Sequence, residues 1–258
     1  MKPFILTFLG TGTSTGVPTI GCQCRTCTSA DPRDKRLRAS VLITLPDKRN
    51  ILIDCGPDFR TQILRAGSPA LQCALLTHSH YDHVGGIDDL RPYCFGNRKF
   101  PIYCQEDVDQ DLHDRNPWSF AKKLYPGVPT FNIRDVEGLK PFKIGSFSIT
   151  PIPVIHGKLP ILGYRIGPLA YITDCSIMPP ESVEALRGVD TLVINALRPA
   201  PHPSHLSLPE ALALVEQIGP RVTYLTHISH DMPPHSRVEL PCGVHLAYDG
   251  LTVEVPAE

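Results

Sequence analysis

Seven consecutive residues constrain this chain more than any other feature. Thr77-His78-Ser79-His80-Tyr81-Asp82-His83 puts three imidazoles and a carboxylate at the end of an apolar run, Cys73–Thr77. Imidazole nitrogen and carboxylate oxygen both bind divalent first-row metals. The run leaves a predicted strand and turns, so its alternating side chains are able to face two separate ions. The chain has 11 His among 258 residues, too few for four such ligands to crowd together incidentally. The Gly85-Gly86 pair that follows is expected to let the backbone turn tightly beside the site.

A dinuclear site needs more ligands than this turn holds, so the fold must bring others to it. Three downstream positions qualify. His156 follows the apolar run Ile149–Ile155, Asp174 follows Leu169–Thr173, and His227 follows Val222–Thr226. Each is a polar residue at the end of a predicted strand, where loops meet and sites form. The run Leu75–His80 also echoes Tyr224–His230, each apolar and then Thr-His, as though two strands deliver histidines to one end of the fold.

Short β-rich runs bounded by Gly, Pro, Asp or His recur from Phe4–Leu9 to Leu251–Val255, among them Val41–Leu45, Ile51–Asp54, Phe147–Val154 and Thr191–Asn195. Helical patterns are fewer: Asp58–Ala66, Pro180–Leu186 and Ser207–Ile218. In the last, Ser207 can cap, Glu210 sits three residues on, and Leu208, Leu212, Val215 and Ile218 form a stripe. Strands outnumber helices, so strict βαβ alternation fails and an α/β sandwich is expected rather than a TIM barrel or a doubly wound sheet. No low-complexity linker interrupts residues 1–258, which are assigned to one domain. No apolar run approaches the ~20 residues of a membrane helix, and the apolar start is too short for a signal peptide, so a cytoplasmic protein with no membrane partner is expected. The formal net charge of -1 gives no broad basic surface for nucleic acid. The charged stretch Asp31–Arg38 reads as a solvated loop from which Arg36 or Arg38 could meet an anionic substrate. Gly10-Thr-Gly-Thr-Ser-Thr-Gly16 is not a phosphate-binding P-loop, because the Lys-Ser/Thr and the following helix are missing. It reads as a Gly-rich turn near the metal edge.

Nine cysteines, an odd number, argue against a complete disulfide framework. Cys22, Cys24 and Cys27 have the spacing of zinc-ligating thiolates. His230, three residues beyond His227, is the candidate fourth ligand, so one short loop would serve both metal sites. The scattered Cys55, Cys73, Cys94, Cys104, Cys175 and Cys242 read as small buried hydrophobes.

With these residues in hand, the sequence resembles the metallo-β-lactamase superfamily. The resemblance implies an αββα sandwich, two mixed β-sheets flanked by helices. It implies that His78, His80 and His156 hold one ion, that Asp82, His83 and His227 hold the other, and that Asp174 bridges them. Gly10–Pro18 followed by Gly21-Cys-Gln-Cys-Arg-Thr-Cys27, together with His156-Gly-Lys-Leu and Leu225-Thr-His-Ile-Ser-His230, looks like the phosphonate-pathway cyclic phosphodiesterases (PhnP). Ser204-His205 matches that family's further active-site histidine, so His205 is the candidate donor to the leaving group, and Asp82 is a second catalytic candidate that could orient the water. The segment from about Leu90 to Lys143 matches no motif. The implied activity is hydrolysis of a small, cyclic ribose phosphodiester by a hydroxide held between two divalent metals. The resemblance favours manganese there, although the ligands suit zinc as well, and the all-thiolate set at residues 22–27 favours a structural zinc. It also implies a homodimer. The rival readings are another hydrolase of this fold, an RNA-processing nuclease or a lactonase, and a non-catalytic zinc-stabilised accessory protein.

Overall fold

Period-two alternation along the strands builds the molecule, seen in a computed structural model that describes residues 2–96 and 98–257. In chain order the first half contains β1 (Phe4–Gly10), β2 (Ser40–Thr44), β3 (Asn50–Ile53), α1 (Phe59–Arg65), β4 (Cys73–Leu75), α2 (Tyr81–Val84), β5 (Phe100–Cys104), α3 (Glu106–Arg115), α4 (Pro117–Phe120) and β6 (Phe131–Asp135). There follow β7 (Phe142–Ile144), β8 (Phe147–His156), β9 (Leu159–Ile166), β10 (Leu169–Tyr171), α5 (Pro180–Leu186), β11 (Thr191–Asn195), α6 (Leu208–Ile218), β12 (Val222–Thr226), β13 (Val244–Leu246) and β14 (Thr252–Val255). They form two seven-stranded sheets, ordered β14-β1-β2-β3-β4-β5-β6 and β13-β12-β11-β10-β9-β8-β7. Each sheet is mixed. β14, β1, β2 and β3 pair antiparallel, as do β7, β8, β9 and β10, while β3 to β6 and β10 to β13 pair parallel.

Alternate residues feed different cores. Leu6, Val41, Ile43, Ile53 and Leu75 point between the sheets, where they meet Leu162, Tyr164, Ile166, Tyr171 and Val193. Their neighbours Leu42, Leu52 and Ala74 face outward and pack with Phe59 and Ile63 of α1 and Leu112 of α3. On the far side Leu192, Ile194 and Leu225 pack with Val183 and Leu186 of α5 and Ala211 and Ile218 of α6. Strands buried on both faces need no polar side, which is why they read as near-continuous apolar runs. The result is an αββα sandwich, as the resemblance implied. Ser207 and Glu210 form the capping box at the start of α6, and Gly219 closes the helix in the left-handed region. Among the described residues no helix is long and apolar enough to cross a membrane.

The sheets are joined at one edge by hydrogen bonds as well as by apolar contact. Tyr164 Oη donates to the carbonyl of Leu76 at 2.6 Å, and the backbone N–H of Leu162 donates to Thr77 O at 3.0 Å. That edge is where the Thr77–His83 turn emerges.

The segment that matches no motif contains β5, one of the β-rich runs read from sequence, and also β6, β7 and α3, whose few and dispersed apolar residues (Phe131, Ile133, Val108, Leu112) show no long period in sequence. Two expectations change. Arg36 is buried rather than solvated: its guanidinium donates to Thr11 Oγ1 at 2.8 Å and to Ala247 O at 2.6 Å. It is a structural cation beside Asp249 and cannot meet a substrate. Of the six scattered cysteines, Cys242 is exposed. The echo between Leu75–His80 and Tyr224–His230 joins β4 to β12, which do deliver histidines to one edge of the sandwich, although they hold different positions in their sheets. β4 adjoins the strand where pairing changes sense, and β12 stands one place further out.

Candidate metal centre

The candidate ligands come from the carboxyl ends of strands at one edge of the sandwich. Past β4 the chain runs through Thr77 to His78 and His80, then into α2, which carries Asp82 and His83. β8 ends on His156, and β12 runs directly into His227. Asp174 follows β10 by three residues. Asp54, Asp174 and His227 all have left-handed backbones, with φ of 63°, 55° and 53°. Such a conformation costs a non-glycine residue about 1–2 kcal/mol. It turns each side chain back across the strand ends, and strain of this kind gathers at functional sites.

The structure brings all seven side chains together. The ligand atoms of His78, His80 and His156 lie within 4.8 Å of one another, as do those of Asp82, His83 and His227. Asp174 stands between the two sets. Its Oδ2 is 3.2 Å from His83 Nε2, and its Oδ1 is 3.1 Å from His227 Nε2 and 3.1 Å from His205 Nε2. The His205 ring lies 4.6 Å from that of His156 and 4.9 Å from that of His227, centroid to centroid. His80 is exposed and His205 half-buried, while the other ligands are buried, so the centre opens on the side of these two residues.

The surroundings fix the rings. His156 Nδ1 donates to the carbonyl of Ser204 at 2.6 Å, which turns Nε2 toward the centre. His83 Nδ1 meets Asp54 Oδ2 at 2.7 Å, and Asp54 also accepts the N–H and hydroxyl of Thr77 at 2.9 and 3.0 Å. This carboxylate–imidazole pair orients a ligand through its far nitrogen. Asn195, at the end of β11, clamps the peptide after Asp174: its Oδ1 accepts from Cys175 N at 2.8 Å, and its Nδ2 donates to Cys175 O at 2.9 Å. Asp54 and Asn195 were not singled out from sequence. Asp54 ends the apolar run Ile51–Asp54 just as Asp174 ends its own, and that signal would have found it. Asn195 ends Thr191–Asn195 likewise. The backbone turns at Gly85 and Gly86, directly after α2, and close packing adds a second demand for glycine. Neither has a positive φ, but a Cβ on Gly86 would collide with the carbonyl of Gly56, and one on Gly56 with that of Asp82.

The charges show what the cluster lacks. Burial acts to lower the pKa of His83, yet Asp174, Asp54 and Asp82 together hold it well above the ordinary imidazole value. Burial pushes Asp174 upward, but His227 and His83 keep it well below the usual carboxylate range. His78 is held well below its ordinary value, first by burial and then by His83. Burial brings His205 down to about 4, against the upward pull of Asp174. Nε2 of His78, of His83 and of His227 is buried without a hydrogen-bond partner. Buried polar atoms rarely go unsatisfied. Converging imidazole lone pairs around buried carboxylates suit divalent cations, so these residues fit metals of the zinc–manganese–iron class.

A second cluster lies close by. Cys22 Sγ is 3.2 Å and Cys24 Sγ 3.5 Å from His230 Nδ1, and the four ligand atoms of Cys22, Cys24, Cys27 and His230 lie within 4.8 Å of one another. The backbone N–H of Cys27 is the largest influence that brings Cys24 down to about 6, whereas burial pushes Cys27 up to about 11. Three thiols and an imidazole form a donor set suited to tetrahedral zinc. The turn Thr226–His230 spans both clusters and is pinned to the Gly-rich turn after β1. Ile228 N donates to Thr11 O at 2.9 Å, and Thr13 N donates to Ile228 O at 3.1 Å.

Residues 49–228 match the family described as the Beta-lactamase superfamily domain. The chain belongs to the metallo-β-lactamase superfamily. Within the superfamily it is like PhnP: it is 41% identical to a crystallised diphosphatase of the PhnP family, over 97% of this chain and 96% of that one, with a TM-score of 0.90. It is 45% identical over 246 residues to an octanoyltransferase from Porphyromonas gingivalis (strain ATCC BAA-308 / W83), a match that covers 94% of this chain and 50% of that protein. The chain thus spans half the length of that curated relative. A ribonuclease Z from Acaryochloris marina (strain MBIC 11017) is 25% identical over 327 residues, covering 97% of each protein. The chain has the metallo-β-lactamase fold, and divalent metals are implied by that fold.

Proposed function

We propose that this hydrolase cleaves a small phosphodiester, a cyclic ribose phosphate being the finer form, with two divalent cations. His78, His80 and His156 would hold one cation, Asp82, His83 and His227 the other, with Asp174 shared. Cys22, Cys24, Cys27 and His230 would hold a structural zinc. The observation that carries the reading is the position of Asp174 between two complete ligand sets, in a chain 41% identical to a PhnP-family diphosphatase. Cations bound there supply Lewis acidity, lower the pKa of water and offset the charge of a phosphate.

The chain's own residues do the rest. Asp54, Ser204 and Asn195 hold ligands in place before substrate arrives, so little reorganisation is needed at the moment of reaction. Asp82, at the edge of its set, is placed to orient a water. His205 presents Nε2 on the open side of the centre, where a leaving oxygen would lie, and can hold or deliver a proton there. A reducing compartment such as the cytoplasm suits thiols that remain free for metal.

The test is a substrate panel on protein stripped by chelation and reloaded with manganese or zinc. Bis(p-nitrophenyl) phosphate and a 2',3'-cyclic nucleotide should turn over only after reloading. A diphosphate turned over in their place would move the substrate class to phosphoanhydrides. Turnover of a lactone, an RNA or an octanoyl thioester, with no phosphodiester cleaved, would overturn the reading.

A further inference from the structure

The net charge of -1 hides an uneven distribution. Residues 90–105 and 116–130 carry Arg91, Arg98, Lys99, Lys122 and Lys123 and not one Asp or Glu. The same two segments hold Phe95, Trp118, Leu124 and Tyr125, which are 65%, 47%, 41% and 79% exposed. Exposed apolar surface rimmed by polar groups marks binding sites. Between the segments lies a cavity of about 470 Å³, lined by Phe95, Leu124, Tyr125 and Val128 together with Arg91 and Lys99. Its walls are tied together. Cys94 Sγ donates to Thr130 O at 3.3 Å, Phe100 N donates to the same carbonyl at 2.8 Å, and Thr130 Oγ1 donates to Arg98 O at 2.9 Å. Arg91 is paired with Asp88 at 2.8 Å, and among the described residues Lys99 has no carboxylate partner. The acids of α3, which separates the two segments in the chain, do not line the cavity. The cavity stands apart from the metal centre. It lies at the amino ends of β5 and β6, beside Lys99 and Thr130, whereas metal ligands leave the carboxyl end of their parallel neighbour β4. The five residues of β5 put roughly 16 Å between the two.

We propose that this cavity is a second ligand site and that it takes a nucleotide, with the planar base against the rings of Tyr125 and Phe95 and the phosphate at Lys99 and Arg91. Every nucleobase has a π-face, so exposed rings stack on it, and neighbouring cations hold its phosphate. A cavity of about 470 Å³ falls within the range that encloses one such molecule. Lys122 and Lys123 directly precede Leu124 and Tyr125 and add positive charge beside that wall. A lipid surface would meet the same cations and rings, but a concave site lined on several sides suits a compact planar ligand better than a flat bilayer face. This goes beyond the hydrolysis proposed above and does not depend on it.

The single tryptophan of the chain reports on the site. Trp118 Nε1 donates to Asp88 Oδ1 at 3.1 Å, and Arg91 donates to the other oxygen of that carboxylate at 2.8 Å. Titrating the metal-loaded protein with ATP should change Trp118 fluorescence saturably, with the same Kd by calorimetry. Inorganic triphosphate, which lacks a base, and adenosine, which lacks phosphate, should each bind at least about 10-fold more weakly. Raising the salt from about 50 to about 300 mM should weaken ATP binding as charges are screened. Tyr125→Ala and Lys99→Glu should each weaken it about 10-fold or more. Both side chains are exposed, so the fold should hold, and turnover of bis(p-nitrophenyl) phosphate should match the parent's. AMP against an eight-residue oligoadenylate separates two sources of the same chemistry: affinity that rises with length assigns the base to a single strand, equal affinity to a free nucleotide. If ATP does not bind, or if both variants bind it as the parent does, the cavity is not its site and the proposal falls. Triphosphate as tight as ATP, with Tyr125→Ala silent, would leave only an anion patch and overturn it too. Binding to phosphatidylglycerol vesicles with no response to any nucleotide would do the same.

Discussion

Oδ1 of Asp174 lies 3.1 Å from Nε2 of His227, and both residues hold left-handed backbones, at φ 55° and 53°. They leave β10 and β12, with β11 between them, so an extended exit would send both side chains out along the sheet. The turned backbone folds them back toward each other and toward the His78–His83 turn. Two strained residues cost about 2–4 kcal/mol together, and packing across both sheets must hold them there.

Asp174→Asn separates chemistry from backbone, because Asn tolerates the left-handed region well. We expect turnover to fall by at least about 100-fold, the loss of several kcal/mol of charge stabilisation, with the metal-free Tm little changed. Asp174→Ala should lose as much activity and about 1 kcal/mol of stability besides. Turnover, bound metal per chain and thermal melts decide it; wild-type turnover in either variant would remove Asp174 from the mechanism.

Asp54→Asn keeps the shape and the backbone preference but removes the charge behind His83. Divalent-metal affinity at the dinuclear centre should weaken about 10- to 100-fold, seen by titration against a competing chelator. An affinity equal to the parent's would mean that the 2.7 Å contact with His83 Nδ1 does not support the ligand.

Cys24 and Cys27 should differ in reactivity once the protein is stripped of metal. Cys24 is brought down to about 6, so its thiolate predominates above that pH and is lost as pH falls through it; Cys27, pushed up to about 11 by burial, stays protonated. At pH 7 iodoacetamide should modify Cys24 well before Cys27, with a rate that halves near pH 6, and added zinc should protect it. Peptide mass spectrometry reads the site, and preferential modification of Cys27 would contradict the assignment.

Cys24→Ser should remove one zinc equivalent per chain and lower Tm, because a structural metal site contributes to folding directly. The dinuclear metals should bind more weakly as well, since Thr226–His230 carries a residue of each cluster. Native mass spectrometry counts the ions; an unchanged count would show that the thiols do not hold metal.

Tyr164→Phe deletes the hydroxyl that donates to Leu76 O across the sheets at 2.6 Å. It leaves a buried carbonyl unpaired, which costs about 1–3 kcal/mol. Denaturant unfolding should register that loss, and a stability equal to the parent's would mean that the carbonyl finds another donor.

What could be read from the chain was what lies close together in it. The Thr77–His83 turn, the Cys22–Cys27 cluster and the Ser207 capping box are local patterns whose chemistry follows from spacing alone. The apolar runs likewise announced strands, because a strand buried on both faces has no polar alternative. β6, β7 and α3 stayed hidden in the segment from about Leu90 to Lys143, where short elements bury few side chains and leave no period to detect. Arg36 looked like a surface charge because a sequence shows the charge and not the carbonyl and hydroxyl that satisfy it. That Asp54 stands behind His83 and Asn195 behind Asp174 was decided only by the tertiary structure. Those partners lie 29 and 21 residues away in the chain. Hydrogen bonds of this kind depend on direction to within a few tenths of an ångström. A sequence carries the donors and acceptors, but the direction exists only once two sheets have packed and their strand ends share an edge.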